Sequence, residues 1–144
     1  MAEGILKDRL LAVGRFDVSV ASMGIHGLDF KPASSNAVQV CDENGVDISA
    51  HLSRPLFPDE LRNADLIFVM EPVQKEFIYT FFPAMKEKMF LLGSWPDRDS
   101  PKGIITDPIG GSMEQYRKTF RKISAHIDRI LPYILQMFPY PDFN

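Results

Sequence analysis

Cysteine occurs once in the 144 residues, at Cys41, so no disulfide can form within the chain. The three histidines, His26, His51 and His126, lie far apart and show no metal-ligand spacing to that cysteine, so no metal or other cofactor is expected. An excess of basic charge is also missing: the formal net charge of -3 gives no general attraction to nucleic acid or to an anionic membrane. No apolar run approaches the length of about 20 residues that spans a bilayer. The first residues have no basic, apolar and small-residue regions in the order of a secretory leader, and a cytoplasmic protein is expected. Internal repeats, low-complexity tracts and composition shifts are absent as well, which predicts a single domain over residues 1–144, long enough to bury a sizeable core.

The apolar residues that are present are arranged in two periodicities. Ile5, Leu6, Leu10 and Val13 fall on one face of a helix predicted over residues 2–13, with Gly14 as its stop. Residues 18–21 are short and β-branched and read as a strand. A loop over 24–27 leads to a helix over 33–43, with Pro32 suited to its first turn and Asn44-Gly45 to its end. A connector over 53–58 precedes a short helix over 59–63. Residues 66–70 form a continuous apolar run of strand length, as expected where helices cover both faces of a parallel sheet. A helix over 73–82 and a strand over 89–92 follow, and then a long loop over 93–111, rich in proline, glycine and aspartate. Phe120, Ile123, Ile127, Ile130 and Ile134 mark the buried stripe of a final helix that begins near Ser112 and is kinked by Pro132. The tail over 139–144 reads as loosely held. Strands alternating with helices predict an α/β domain with a parallel sheet.

Several short segments carry a more specific pattern: Met1-Ala2-Glu3, Ser22-Met23-Gly24, Pro32-Ala33-Ser34, Gly45-Val46-Asp47-Ile48-Ser49, His51-Leu52-Ser53-Arg54, the stretch from Ala64 to Glu71, and Asp107-Pro108-Ile109-Gly110-Gly111-Ser112. Together they resemble the low molecular weight protein tyrosine phosphatases over nearly the whole chain. The resemblance implies a three-layer sandwich around a parallel sheet of order 2-1-3-4. In that family, Met-Ala-Glu directly follows a Cys-x5-Arg-Ser-Pro phosphate loop. The expectation is therefore an amino-terminally truncated member, lacking the first, central strand of about five or six residues and the loop that holds the nucleophilic cysteine and the arginine.

Chemistry in such a family passes through a cysteinyl-phosphate. Loop amides and a helix dipole cradle the anion and depress the thiol pKa. The arginine grips two equatorial oxygens, and an aspartic acid protonates the leaving group. The resemblance gives that last role to Asp107, and Pro108 restricts its backbone. Read without the resemblance, Asp-Pro in a glycine-rich loop is a turn. Met1, Ala2 and Ser22 are candidates for substrate or anion binding, because a helix start presents free amides. Cys41 fails as a nucleophile: Asp42-Glu43-Asn44-Gly45-Val46-Asp47 follows it, with no arginine in place, and the two acids would raise its pKa. His51 reads as structural, His26 as a loop residue and His126 as a solvated helix residue. Tyr116 reads as packing or substrate contact. Arg117, Lys118, Arg121, Lys122 and Arg129 form either a solvated face or an anion-attracting rim.

Three readings of function follow. The chain is a phosphotyrosine-type enzyme that is inactive as written, or a protein-arginine phosphatase of the same family, or a non-catalytic phosphatase-like module. A phosphoprotein or phosphate-like anion is the expected partner of the first two, and a homodimer of the third.

Overall fold

Helix α1, Ala2–Ala12, is built from residues that favour helix and buries Ile5 and Leu10. In the computed structural model, which describes residues 1–26 and 30–141, α1 is followed by α2 (Ser35–Glu43), α3 (Pro58–Asn63), β1 (Ile67–Val69), α4 (Pro72–Phe81), β2 (Met89–Leu91) and α5 (Met113–Met137). Two 3-10 turns, Pro83–Lys88 and Pro101–Gly103, complete the elements. Gly27, at the end of the expected loop, and residues 142–144 of the expected tail lie outside the described residues.

The sheet has two parallel strands, with Ile67 opposite Met89 and Val69 opposite Leu91. Alternation of side chains across a strand divides the apolar residues between two cores. Ile67, Val69, Met89 and Leu91 pack with Leu61 of α3 and Ile78 of α4 on one face. Phe68 and Phe90 face the larger core, made by Ile5, Val40, Cys41, Trp95 and the α5 stripe from Tyr116 to Ile134. Helices thus cover both sides of a parallel sheet, as the unbroken apolar run of residues 66–70 implied.

Three local expectations are corrected. Residues 18–21 are not a strand, and among the described residues no strand pairs with the edge of β1 away from β2. A strand is completed by its neighbour's hydrogen bonds, and among the described residues this segment has none. The chain instead regains pairing just beyond it, where the Gly24 amide donates to the Arg54 carbonyl at 2.9 Å and the Ser53 amide to the Lys31 carbonyl at 2.8 Å. Pro32 lies outside α2, bridged to Leu52; Ser34 caps that helix by accepting from the Ala37 amide. Val13 is past the end of α1 and 44% exposed, while Gly14 takes the left-handed φ of 74° that ends the helix.

Pro132 lies within α5 without ending it. In the described part of the tail, Tyr140 is held to the end of α1 and to Arg15. The Tyr140 hydroxyl donates to the Val13 carbonyl at 3.1 Å, and its ring stacks 4.6 Å from the Arg15 guanidinium. Arg15 is itself buried and forked onto Asp17 at 2.7 Å through both contacts.

Candidate functional site

The start of α1 has no side-chain cap at Met1, and the first carbonyl bond is from the Ile5 amide to Met1 at 3.0 Å. The amides of Ala2, Glu3 and Gly4 therefore precede the helix's own hydrogen-bond ladder. Met1 and Ala2 are half-buried against the larger core. Cys41 is fully buried in that core, and burial pushes its thiol pKa up against the opposing pull of the Met1 ammonium. The cause is thus burial, not repulsion by Asp42 and Glu43, both of which are exposed. The thiol stays protonated and enclosed, which suits a core residue.

Ser22 is brought to the first turn of α1, where its hydroxyl donates to Glu3 Oε2. Lys7, one turn on, bonds Glu3 Oε1, and His51 Nδ1 lies 3.6 Å from Oε2. Burial alone would raise the Glu3 carboxyl. The bonds from Lys7 and Ser22, with the charges of Lys7 and His51, outweigh it and hold the pKa below its ordinary value of 4.5. Glu3, Lys7 and His51 line a groove of about 550 Å³ that also takes in Gly4, Ile48 and Arg54. Arg54 is forked onto Glu60 at 2.6 and 3.0 Å. Ser22 thus meets the first turn of α1, which begins at Ala2, through the carboxylate of Glu3, the polar centre there. Sequence reasoning did not single out that residue. The i, i+4 spacing of Glu3 and Lys7 was a readable signal, whereas the approach of Ser22 and His51 was not.

Asp107 is exposed and does not line that groove. Its Oδ1 accepts from the Ile109 amide at 2.9 Å, an Asx turn of the kind Asp-Pro sequences favour. Gly110, at φ 75°, and the bond from the Gly111 amide to the Pro108 carbonyl at 2.8 Å fold the loop back. It then enters the capping box of Ser112 and Gln115 that starts α5. Just upstream, the Ile105 amide donates to the Met70 carbonyl at 3.0 Å. The loop therefore lies at the carboxyl end of β1, the end of a parallel sheet where ligands bind in open α/β folds.

The basic side of α5 is engaged within the molecule. Arg117 is forked onto Glu43 at 2.9 and 3.0 Å, and Arg121 reaches Glu114 at 3.0 Å. Lys122 donates to the Ile104 carbonyl, and Arg129 to the carbonyls of Trp95 and Leu92. Lys118 has no partner among the described residues, and it and Arg121, whose partner Glu114 is also exposed, match the expected solvated face. Tyr116 is buried, with Ser34 Oγ donating to its hydroxyl at 3.2 Å, so it packs. Among the described residues no cluster of three His, Cys, Asp or Glu side chains could hold a metal ion.

The chain as a whole has counterparts among known proteins. The family model for low molecular weight phosphotyrosine protein phosphatases matches residues 1–136. A probable low molecular weight protein-tyrosine-phosphatase EpsP of Ralstonia nicotianae is 33% identical over 134 residues, 93% of this chain and 86% of the relative. A protein-arginine-phosphatase of Geobacillus stearothermophilus is 31% identical, covering 90% of this chain and 83% of its own length. The crystal structure of a low molecular weight protein tyrosine phosphatase from T. tengcongensis superposes with a TM-score of 0.84 at 32% identity, over 92% of this chain and 88% of that one. The fold, the family model and the relatives agree, and the chain belongs to the low molecular weight phosphotyrosine protein phosphatase family.

Proposed function

We propose that this chain is the larger part of a cysteine-dependent phosphatase acting on phosphoprotein, with Asp107 as its general acid and base. The observation that carries the reading is the Asp107-Pro108 loop held at the carboxyl end of β1 in a chain matched by the family model over residues 1–136. In this reading Asp107 gives a proton to the leaving oxygen and then takes one from the water that cleaves the cysteinyl-phosphate. Met1 and Ala2 stand at the anion cradle, and Ser22 braces it through Glu3. The nucleophile is not within residues 1–144, because no arginine follows Cys41 at the required spacing and that thiol is buried. In this reading a further strand pairs with the edge of β1 that is unpaired among the described residues, and the phosphate loop stands at that strand's end.

Aryl phosphate hydrolysis tests this directly. Residues 1–144 alone are expected to be inactive. Extension by a strand and a Cys-x5-Arg loop ahead of Met1 is expected to give turnover, and Asp107→Asn in the extended protein to lower kcat by about 10²–10⁴-fold. An inactive extended protein with native far-UV circular dichroism would overturn the reading. Relatives of the tyrosine and arginine types stand at 33% and 31% identity, so phosphotyrosine and phosphoarginine proteins are both substrates to assay.

The open edge of β1 also favours a second reading, a non-catalytic module in which another copy of the chain fills the gap. Sedimentation of residues 1–144 as a dimer that separates only on denaturation would support it; a monomer would exclude it.

A further inference from the structure

Lys122, His126 and Arg129 lie along one side of α5 at the three- and four-residue spacings that bring side chains together. Lys122 and Arg129 meet the long segment that leads from β2 to the Asp107 loop, and His126 meets Arg129. Lys122 Nζ donates to the Ile104 carbonyl at 2.5 Å, and Arg129 Nη1 to the Trp95 carbonyl at 2.5 Å. The second terminal nitrogen of Arg129 is placed between two acceptors, the Leu92 carbonyl at 3.2 Å and His126 Nδ1 at 3.4 Å.

A guanidinium has only donors, so His126 can receive this contact only while Nδ1 is unprotonated. Protonation would turn an acceptor into a cation beside Arg129, with Lys122 on its other side. From these contacts we infer that His126 is a proton-operated latch: neutral, it helps Arg129 hold the 92–95 segment to α5, and protonated, it drives Arg129 off the Leu92 and Trp95 carbonyls and frees the segment.

The surroundings offer no compensating negative side chain among the described residues. The groups acting on His126 are burial first, then the charges of Arg129 and Lys122, and all three hold its pKa below the ordinary 6.5. The packed segment meets this side of α5 with main-chain carbonyls, while its Asp99 is paired with Lys75 of α4. From α1, Arg9 reaches α5 at Asp128, with which it is bonded at 2.8 Å. Glu43 of α2 is held by Arg117. The sheet side presents Phe68 and Phe90, packed on Trp95.

The latch controls the path of the chain into the Asp107 loop, and any effect on catalysis rests on the function proposed above. The latch itself is tested without activity, because Trp95 is the protein's single tryptophan and is buried at the released point. Trp95 emission of residues 1–144 is followed from pH 8 to pH 5 alongside the His126 ring resonances. The expected result is a red shift of emission whose midpoint coincides with the His126 titration, below 6.5. In His126→Gln, whose amide oxygen accepts from Arg129 without titrating, the shift is expected to vanish while the pH 8 spectrum is kept. A shift that persists in this variant belongs to another group and overturns the latch. So does a His126 that titrates at or above 6.5, or an emission that stays flat as His126 titrates; both are read on the unmutated chain, whatever the variant's folding.

Discussion

Gly93 and Gly103 show how a single atom decides the course of the long loop. A methyl group on Gly93 would stand 2.1 Å from the Gly103 carbonyl oxygen, and one on Gly103 would meet Ser94 Oγ at 2.0 Å and the Gly93 carbonyl carbon at 2.9 Å. Two stretches of backbone cross here with no room for a side chain. Gly103→Ala is therefore expected to destabilise the fold by about 1–3 kcal/mol, as overpacking does, read as a lowered urea midpoint at unchanged slope. Gly45→Ala meets no neighbour, and the strain of its φ of 74° alone is expected to act there. The crossing was illegible in the sequence, because glycine in a loop reads as a turn and the partner stands ten positions away. Cys41 was legible as no nucleophile, because no arginine follows it at the required spacing, and it is fully buried.

Among the elements, α5 separates charges that hold structure from charges that decorate it. Lys122 satisfies the otherwise unpaired Ile104 carbonyl, whereas Arg121 meets Glu114 in a pair exposed on both sides. Lys122→Met keeps most of the apolar stem and removes only the donor, so a loss of about 1–2 kcal/mol is expected. Arg121→Ala is expected to change stability by less than about 1 kcal/mol. Urea unfolding of the two variants side by side checks the contrast. The sequence revealed the basic residues but not their partners, since a carbonyl eighteen positions earlier carries no signal of its own. The buried stripe of α5 was readable because periodicity is local. The segment over 18–21 was misread for the opposite reason: its β-branched residues suit a strand, but strand formation depends on a neighbour that no local pattern can supply.

At the scale of the molecule, the α/β class and the parallel sheet were legible in the alternation of elements and in the apolar run ahead of Glu71. Of the candidate site, Asp107 and Ser22 were singled out from segment patterns, and their roles belong to the proposed function. The Glu3 centre that joins Ser22, Lys7 and His51 depends on three separate parts of the chain meeting and was not. That centre gives stability a pH dependence of definite sign. The folded Glu3 carboxyl has a pKa below 4.5, so at acid pH the unfolded chain binds the more protons. Its contribution is complete above pH 4.5 and is lost as the pH falls towards the lowered folded value. Urea midpoints measured between pH 6 and pH 3 are expected to fall more steeply for the natural chain than for Glu3→Gln.

The packing of α1 against α5 joins the first helix of the chain to the last, with Arg9 bonded to Asp128 and Tyr140 to Val13. A ribosome adding about 5–20 residues per second releases α1 several seconds before the surface that covers Ile5 and Leu10 exists. Through the synthesis of the intervening residues, Ile5 therefore lacks the α5 part of the core it packs in. The larger core closes only when α5 has been made, so the ordering of α1 waits on residues more than a hundred positions later.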